Sequence, residues 1–260
     1  MKSELSLTTQ FQYGRTMISD MYFTSPYKVM SPFTDGKHIE IMQMSASAGM
    51  LSGDVFDLRL QFLEISDVTY VSQIYDKVFQ SKGEQTKKNV TIHVGANAKV
   101  RYMPYPMIPF SGCDFAADNQ VYVDPTATFL YCDVFSCGRT GMGEFFEMKK
   151  YQSRTRIYLA NELSDVPSEL LFADHTLIDP AQFDYRTMGM WNSYTHNGLC
   201  YLYIPDREQE TEILQQIRSL SKKTEILAGA TRGHKGIVIR MLSLRGEKIW
   251  SFLERVADFI

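Results

Sequence analysis

Apolar and polar positions alternate with period 2 over most of the first 200 residues. In residues 55–62 the pattern places Phe56, Leu58, Leu60 and Phe62 on one face of a strand. Residues 89–94 alternate likewise and stop at Gly95-Ala96-Asn97-Ala98, a turn, after which residues 99–102 restart the strand. Residues 119–123 stop at Asp124-Pro125, and residues 129–135 and 154–159 continue the series. Turn signals recur about every 10 residues, the rhythm of a sandwich, barrel or β-solenoid. No exact internal repeat accompanies it.

The last quarter changes period. Asp206, with Gln209 three residues on, reads as a capping box. Ile213, Leu214, Ile217 and Leu220 follow at helical spacing. Residues 236–242 read as a strand, and Ile249, Leu253, Val256 and Ile260 form a second helical stripe after Gly246. The pattern predicts an all-β-dominated chain. Many short strands make a body over residues 1–205, and an α-β-α C-terminal part over 206–260 packs on it within one folding domain.

Residues 100–112 break the rhythm. Pro104, Pro106 and Pro109 fix φ and remove backbone donors, which rules out a helix and a central strand. The residues between and just after them are Tyr105, Met107, Ile108 and Phe110, which are core types. A stiff, extended, buried crossover between two sheets is the expectation.

Composition narrows the chemistry. The 260 residues are 44% hydrophobic and 22% charged, an ordinary globular mix. Net charge is −3 with no polybasic run, which argues against a nucleic-acid partner. No stretch is long and apolar enough for a transmembrane helix, and residues 1–9 lack an apolar signal core, so the cytoplasm is the expected compartment. Cys113, Cys132, Cys137 and Cys200 form no Cys-x-x-Cys and are expected as buried thiols. A thiolate site from Cys132 and Cys137 is the alternative. The histidines show no His-x-x-x-His spacing and read as structural or surface groups.

Three constellations could carry chemistry. Asp54 ends Ala48-Gly49-Met50-Leu51-Ser52-Gly53-Asp54, either capping a turn or lining a cation path at the rim of the body. Asp76 and Lys77 are adjacent in a strand-like run, so one faces inward and the other outward or toward a partner. Arg139 and Glu144 flank a glycine-rich turn closely enough to pair, as a structural clasp or at a channel mouth. No Gly-x-Ser-x-Gly, His-Glu-x-x-His or Walker motif occurs. A carboxylate pair of the glycosidase kind depends on three-dimensional separation and stays open.

Five segments occur in order: Ser25-Pro26-Tyr27-Lys28; residues 48–54; Ser72-Gln73-Ile74-Tyr75-Asp76-Lys77-Val78; Tyr102-Met103-Pro104-Tyr105-Pro106-Met107-Ile108-Pro109-Phe110; and Gly138-Arg139 with Gly143-Glu144-Phe145. The set resembles the UreD family of urease accessory proteins, called UreH in helicobacters, over roughly residues 22–180. Many members carry Gly-Gly where this chain has Gly49-Met50, and Thr-Gln where it has Ser72-Gln73. Beyond Thr211 only the α-β-α pattern matches.

The resemblance implies a β-helical, non-enzymatic maturation factor. It would bind UreF directly and UreG through UreF, and dock on apo-urease. It would hold no tight cofactor but pass Ni²⁺ along an internal tunnel. By position, Asp54 and Glu144 would be transit residues, Arg139 would orient Glu144, and Asp76 and Lys77 would be structural or interface residues. The rivals are a β-solenoid hydrolase using a carboxylate pair, and a pure scaffold without metal transit.

Overall fold

The structure is a computed structural model that describes residues 1–160 and 168–260. Strand accounts for 51% of it and helix for 12%, so sheet dominates as the alternation predicts. A 7-stranded sheet contains β1 (Lys2–Gln12), β2 (Arg15–Phe23), β6 (Val55–Phe62), β9 (Thr86–Val94), β12 (Asp114–Val123), β14 (Lys150–Leu159) and β15 (Glu169–Ile178). An 11-stranded sheet contains β3 (Tyr27–Val29), β4 (Phe33–Asp35), β5 (His38–Ser45), β7 (Asp67–Ser72), β8 (Asp76–Val78) and β10 (Lys99–Met103). It continues with β11 (Met107–Pro109), β13 (Thr128–Ser136), β16 (His196–Tyr203), β17 (Leu227–Arg232) and β18 (Ile237–Ser243).

From β5 to β14 the chain alternates between the sheets. In the first sheet β1, β6, β9, β12 and β14 lie parallel in that order. In the second, β5, β7, β10 and β13 do the same. Each coil therefore gives one strand to each sheet, the β-solenoid arrangement. In-register stacking follows, with Ile41, Tyr70, Tyr102 and Tyr131 as successive partners. The Tyr70, Tyr102 and Tyr131 rings stack at 5.5 and 5.6 Å, each contact contributing roughly 0.5–1.5 kcal/mol beyond area burial.

Inward-facing Leu5, Leu7, Phe56, Leu58, Leu60, Phe62, Val90 and Ile92 fill the space between the sheets. The outer face of the second sheet is also apolar, through Leu130, Cys132, Val134, Cys200 and Leu202. Two helices cover it, α1 (Arg207–Ser221) and α2 (Gly246–Ala257). Asp206 caps α1 by accepting from the Gln209 backbone N–H at 2.8 Å. Ile213, Leu214, Ile217 and Leu220 are its buried stripe, and Ile249, Leu253 and Val256 belong to that of α2.

Two differences from the sequence reading stand out. The C-terminal part holds two strands between its helices, because β17 joins β18 antiparallel. Its sequence, Leu-Ala-Gly-Ala-Thr-Arg, is an exposed edge with too few large side chains to show a period. The proline-rich segment does link the second sheet (β10) to the first (β12). Within it, β11 pairs with both β8 and β13, and Pro109 is tolerated as its last residue.

Candidate functional site

The inward alternation is interrupted by polar side chains at one level of the sandwich. Lys88 takes an inward position of β9 between Thr86 and Val90, and Asn119 one of β12. Ser153 and Thr155 do so on β14, and Asp133 follows Phe129 and Tyr131 on β13. Lys88, Asn119, Asp133 and Ser153, together with Asp76 of β8, line a cavity of about 40 Å³ between the sheets.

The groups are wired across the sandwich. Lys88 Nζ donates to Asp76 Oδ2 at 2.6 Å. Ser153 Oγ donates to Asp133 Oδ2 at 2.8 Å, and Asn119 Nδ2 donates to Thr155 Oγ1 at 3.2 Å. The Tyr131 hydroxyl meets Thr155 Oγ1 at 3.1 Å. The hydroxyls of Tyr27 and Tyr70 are buried with no hydrogen-bond partner in the protein, and both feel the Asp76 charge. A buried, unmatched hydroxyl costs about 1–3 kcal/mol.

Burial dominates the electrostatics. It pushes the Asp133 carboxyl above its ordinary value, partly offset by the hydrogen bond from Ser153. Burial also disfavours the Lys88 ammonium and is the largest single effect there, but the Asp76 carboxylate together with Tyr102 and Tyr27 outweighs it, and the net direction for Lys88 is upward. Burial takes Tyr102, beside this pair, up to about 12. Asp133 forms no ion pair among the described residues, so its charge stands less compensated than that of Asp76.

The residues singled out in sequence gather at one end of the sandwich. Asp76 faces the cavity, whereas Lys77 lines a groove on the outside. The opposed facing expected of strand neighbours is what β8 has. Arg139 lines the same groove and lies over the Phe110 ring at 4.3 Å. Its Nε donates to Glu144 Oε2 at 2.8 Å and its Nη2 to Glu144 Oε1, a two-point pair. The Ser111 backbone N–H donates to Glu144 Oε2 at 3.3 Å. Arg139 foremost, against some desolvation, holds the Glu144 carboxyl below its ordinary value. Gly138 permits this closure, because at φ +142° a Cβ there would lie 2.7 Å from the Glu144 carbonyl oxygen.

Asp54 lies apart from the cavity lining. It is only 5% exposed, covered at the start of β6 rather than open to solvent. Oδ1 accepts from the Met1 ammonium at 2.8 Å and Oδ2 from the Leu51 backbone N–H at 2.9 Å. All four cysteines are buried and free. Cys132 packs beneath the helices and Cys137 between the sheets, so the two thiols share no site. Among the described residues no group of three or more His, Cys, Asp and Glu is arranged to hold a metal ion. No helix among them is long and apolar enough to cross a membrane.

Lys88 and Asp133 were missed in sequence. Their signal is a charged residue in an inward register of an otherwise apolar alternation, in Thr86-Lys87-Lys88-Asn89-Val90 and Phe129-Leu130-Tyr131-Cys132-Asp133.

The family described as UreD urease accessory protein matches residues 1–260. The chain is 30% identical to the urease accessory protein UreH of Helicobacter hepaticus, over 98% of this chain and 97% of that one. It is 24% identical to the urease accessory protein UreD of Acetivibrio thermocellus, over 100% and 97%. To UreH of Helicobacter pylori (strain P12) it is 27% identical, over 99% and 94%.

Proposed function

The chain belongs to the UreD family of urease accessory proteins, and from that premise we propose that it is a non-catalytic assembly factor of the cytoplasm. It binds UreF directly and UreG through UreF, docks on apo-urease, and offers Ni²⁺ a route through the polar cavity between its sheets. The observation that carries this reading is the charged lining of Asp76, Lys88 and Asp133 inside a sandwich that could have been wholly apolar.

A buried carboxylate without a cationic contact, such as Asp133, attracts a cation. Transit needs ligands that bind weakly and release. Asp54 and Glu144 stand at the end where first-sheet strands begin, Asp54 before β6 and Glu144 on Ser111 ahead of β12. We assign them to the mouth of the route, with Arg139 orienting Glu144.

The hydrolase reading is poorly supported by the cavity. About 40 Å³ suits one or a few waters, not a sugar ring. The scaffold-only reading is separated by Asp133→Asn, which keeps shape and a Ser153 partner. Co-expressed with the urease gene cluster, this variant is expected to bind UreF like the wild type but to lower nickel-dependent activation several-fold. Normal activation would leave only the scaffold, and turnover of a substrate by the isolated chain would overturn the assembly role.

A further inference from the structure

We infer that the groove on the outer side of β8 is the docking site for an acidic, apolar-anchored segment of a protein partner; the inference rests on the assembly role proposed above. The groove measures about 660 Å³, and its lining includes Lys77, Phe110, Arg139, Met142, Leu244 and Arg245. Met142 is 76% exposed and Leu244 59%, so a free chain leaves large apolar side chains in water beside a concave surface. Both flank one concave surface, so a single apolar segment seated in it would cover them together.

Charge selects the occupant. Lys77 and Arg245 form no ion pair with a carboxylate among the described residues. The Arg139 charge is taken up by Glu144, and Glu247, the carboxylate of the groove itself, is hydrogen-bonded with the Tyr75 hydroxyl. That hydrogen bond comes from a neutral hydroxyl and leaves Glu247 its charge, so Lys77 and Arg245 stand against one carboxylate and the charge that faces a partner is positive by one. Its complement is a segment whose carboxylates meet Lys77 and Arg245 while apolar side chains cover Met142, Leu244 and the Phe110 edge. Complementary charge of this kind chiefly sets register and association rate, while the buried apolar anchors slow release.

The position links docking to the cavity. Lys77 and Asp76 are neighbours in a three-residue strand, one lining the groove and the other the cavity. A partner seated on Lys77 covers the outer side of the wall whose inner side carries Asp76. Docking and delivery thus meet on opposite faces of β8.

The test replaces Met142 or Leu244 by the photo-crosslinker p-benzoylphenylalanine, in the full chain co-expressed with its urease gene cluster. Tyr13, 85% exposed in the β1–β2 turn, is the control position. Crosslinks at 142 and 244 should exceed those at 13 at least fivefold and should map to a partner peptide of net negative charge. Lys77→Glu with Arg245→Glu should reduce the yield at least tenfold, and the milder Lys77→Gln with Arg245→Gln should reduce it about threefold without changing the melting temperature. Yields no higher than at Tyr13, crosslinks to a segment without excess acid, or indifference to both double variants would each overturn the inference. If the crosslinked acidic segment belongs to a protein outside the urease assembly, the groove stands as a docking site and the assembly role falls.

Discussion

Lys88 and Asp76 form an ion pair at 2.6 Å between two sheets whose facing side chains are otherwise mostly Leu, Phe, Val, Ile and Tyr. Their side chains are only 8% and 14% exposed. Lys88 comes from the first sheet and Asp76 from a short strand of the second, so the pair bridges the layers. A buried pair of this kind is weak as a stabiliser compared with apolar packing, yet costly to break from one side.

Removing one partner should therefore be worse than removing both. Lys88→Met leaves the Asp76 carboxylate buried and is expected to destabilise the fold by about 3–5 kcal/mol. Lys88→Met combined with Asp76→Leu should recover most of that loss. Urea denaturation of the two variants checks the order, and a single variant as stable as the double would contradict it.

Asp133 should act in the opposite sense on stability. Its folded-state carboxyl lies above the ordinary 3.8, so the folded chain holds the proton more tightly than the unfolded chain. Stability from this group is full below 3.8 and falls as pH rises through the folded value. Asp133→Asn, which carries no charge, should be more stable than wild type at pH 7. The gap should close as pH approaches 3.8, and melting curves at pH 4, 5.5 and 7 read the trend. A carboxylate kept against its effect on stability fits a functional demand.

Glu144 carries the reverse sign. Its carboxyl is held below 4.5, chiefly by Arg139, so its contribution is present above 4.5 and lost as pH falls through the folded value. Glu144→Gln should melt below wild type at pH 7, with the difference vanishing on strong acidification. A double change of Arg139 and Glu144 to Gln should cost less than the sum of the singles. Urease activation by the same set of variants assigns Glu144 to the ion route if it stays low when folding is restored.

Asp54 joins residues that are far apart in the chain. Asp54→Ala should lose the bonds from Met1 and Leu51 and destabilise by about 1.5–3 kcal/mol, the scale of charged hydrogen bonds. Asp54→Asn keeps an acceptor for Leu51 and loses the charge, so it should be milder in a melt. If Asp54 also serves Ni²⁺, Asp54→Asn should fold and bind UreF yet activate urease poorly, and normal activation by it would confine Asp54 to the turn.

What can be read along the chain is local. The period-2 faces of β6 and β9, the turn at 95–98, the Asp206 cap and the apolar stripes of α1 and α2 all depend on neighbours a few residues apart. Side-chain direction at that range follows from backbone geometry alone. The opposed facing of Asp76 and Lys77 and the pairing of Arg139 with Glu144 were legible for the same reason. Sheet membership was not, because alternation tells which side a residue faces and not which strand lies opposite. The register that sets Lys88 beside Asp76, and Ser153 beside Asp133, arises only when the coils stack. Asp54 was placed at the rim from its turn, but folding brings the Met1 ammonium onto it from 53 residues away and buries it. Local spacing determined the strands, caps and helix faces; the stacking of coils decided which charges share the interior, since that choice rests on contacts the linear pattern does not encode.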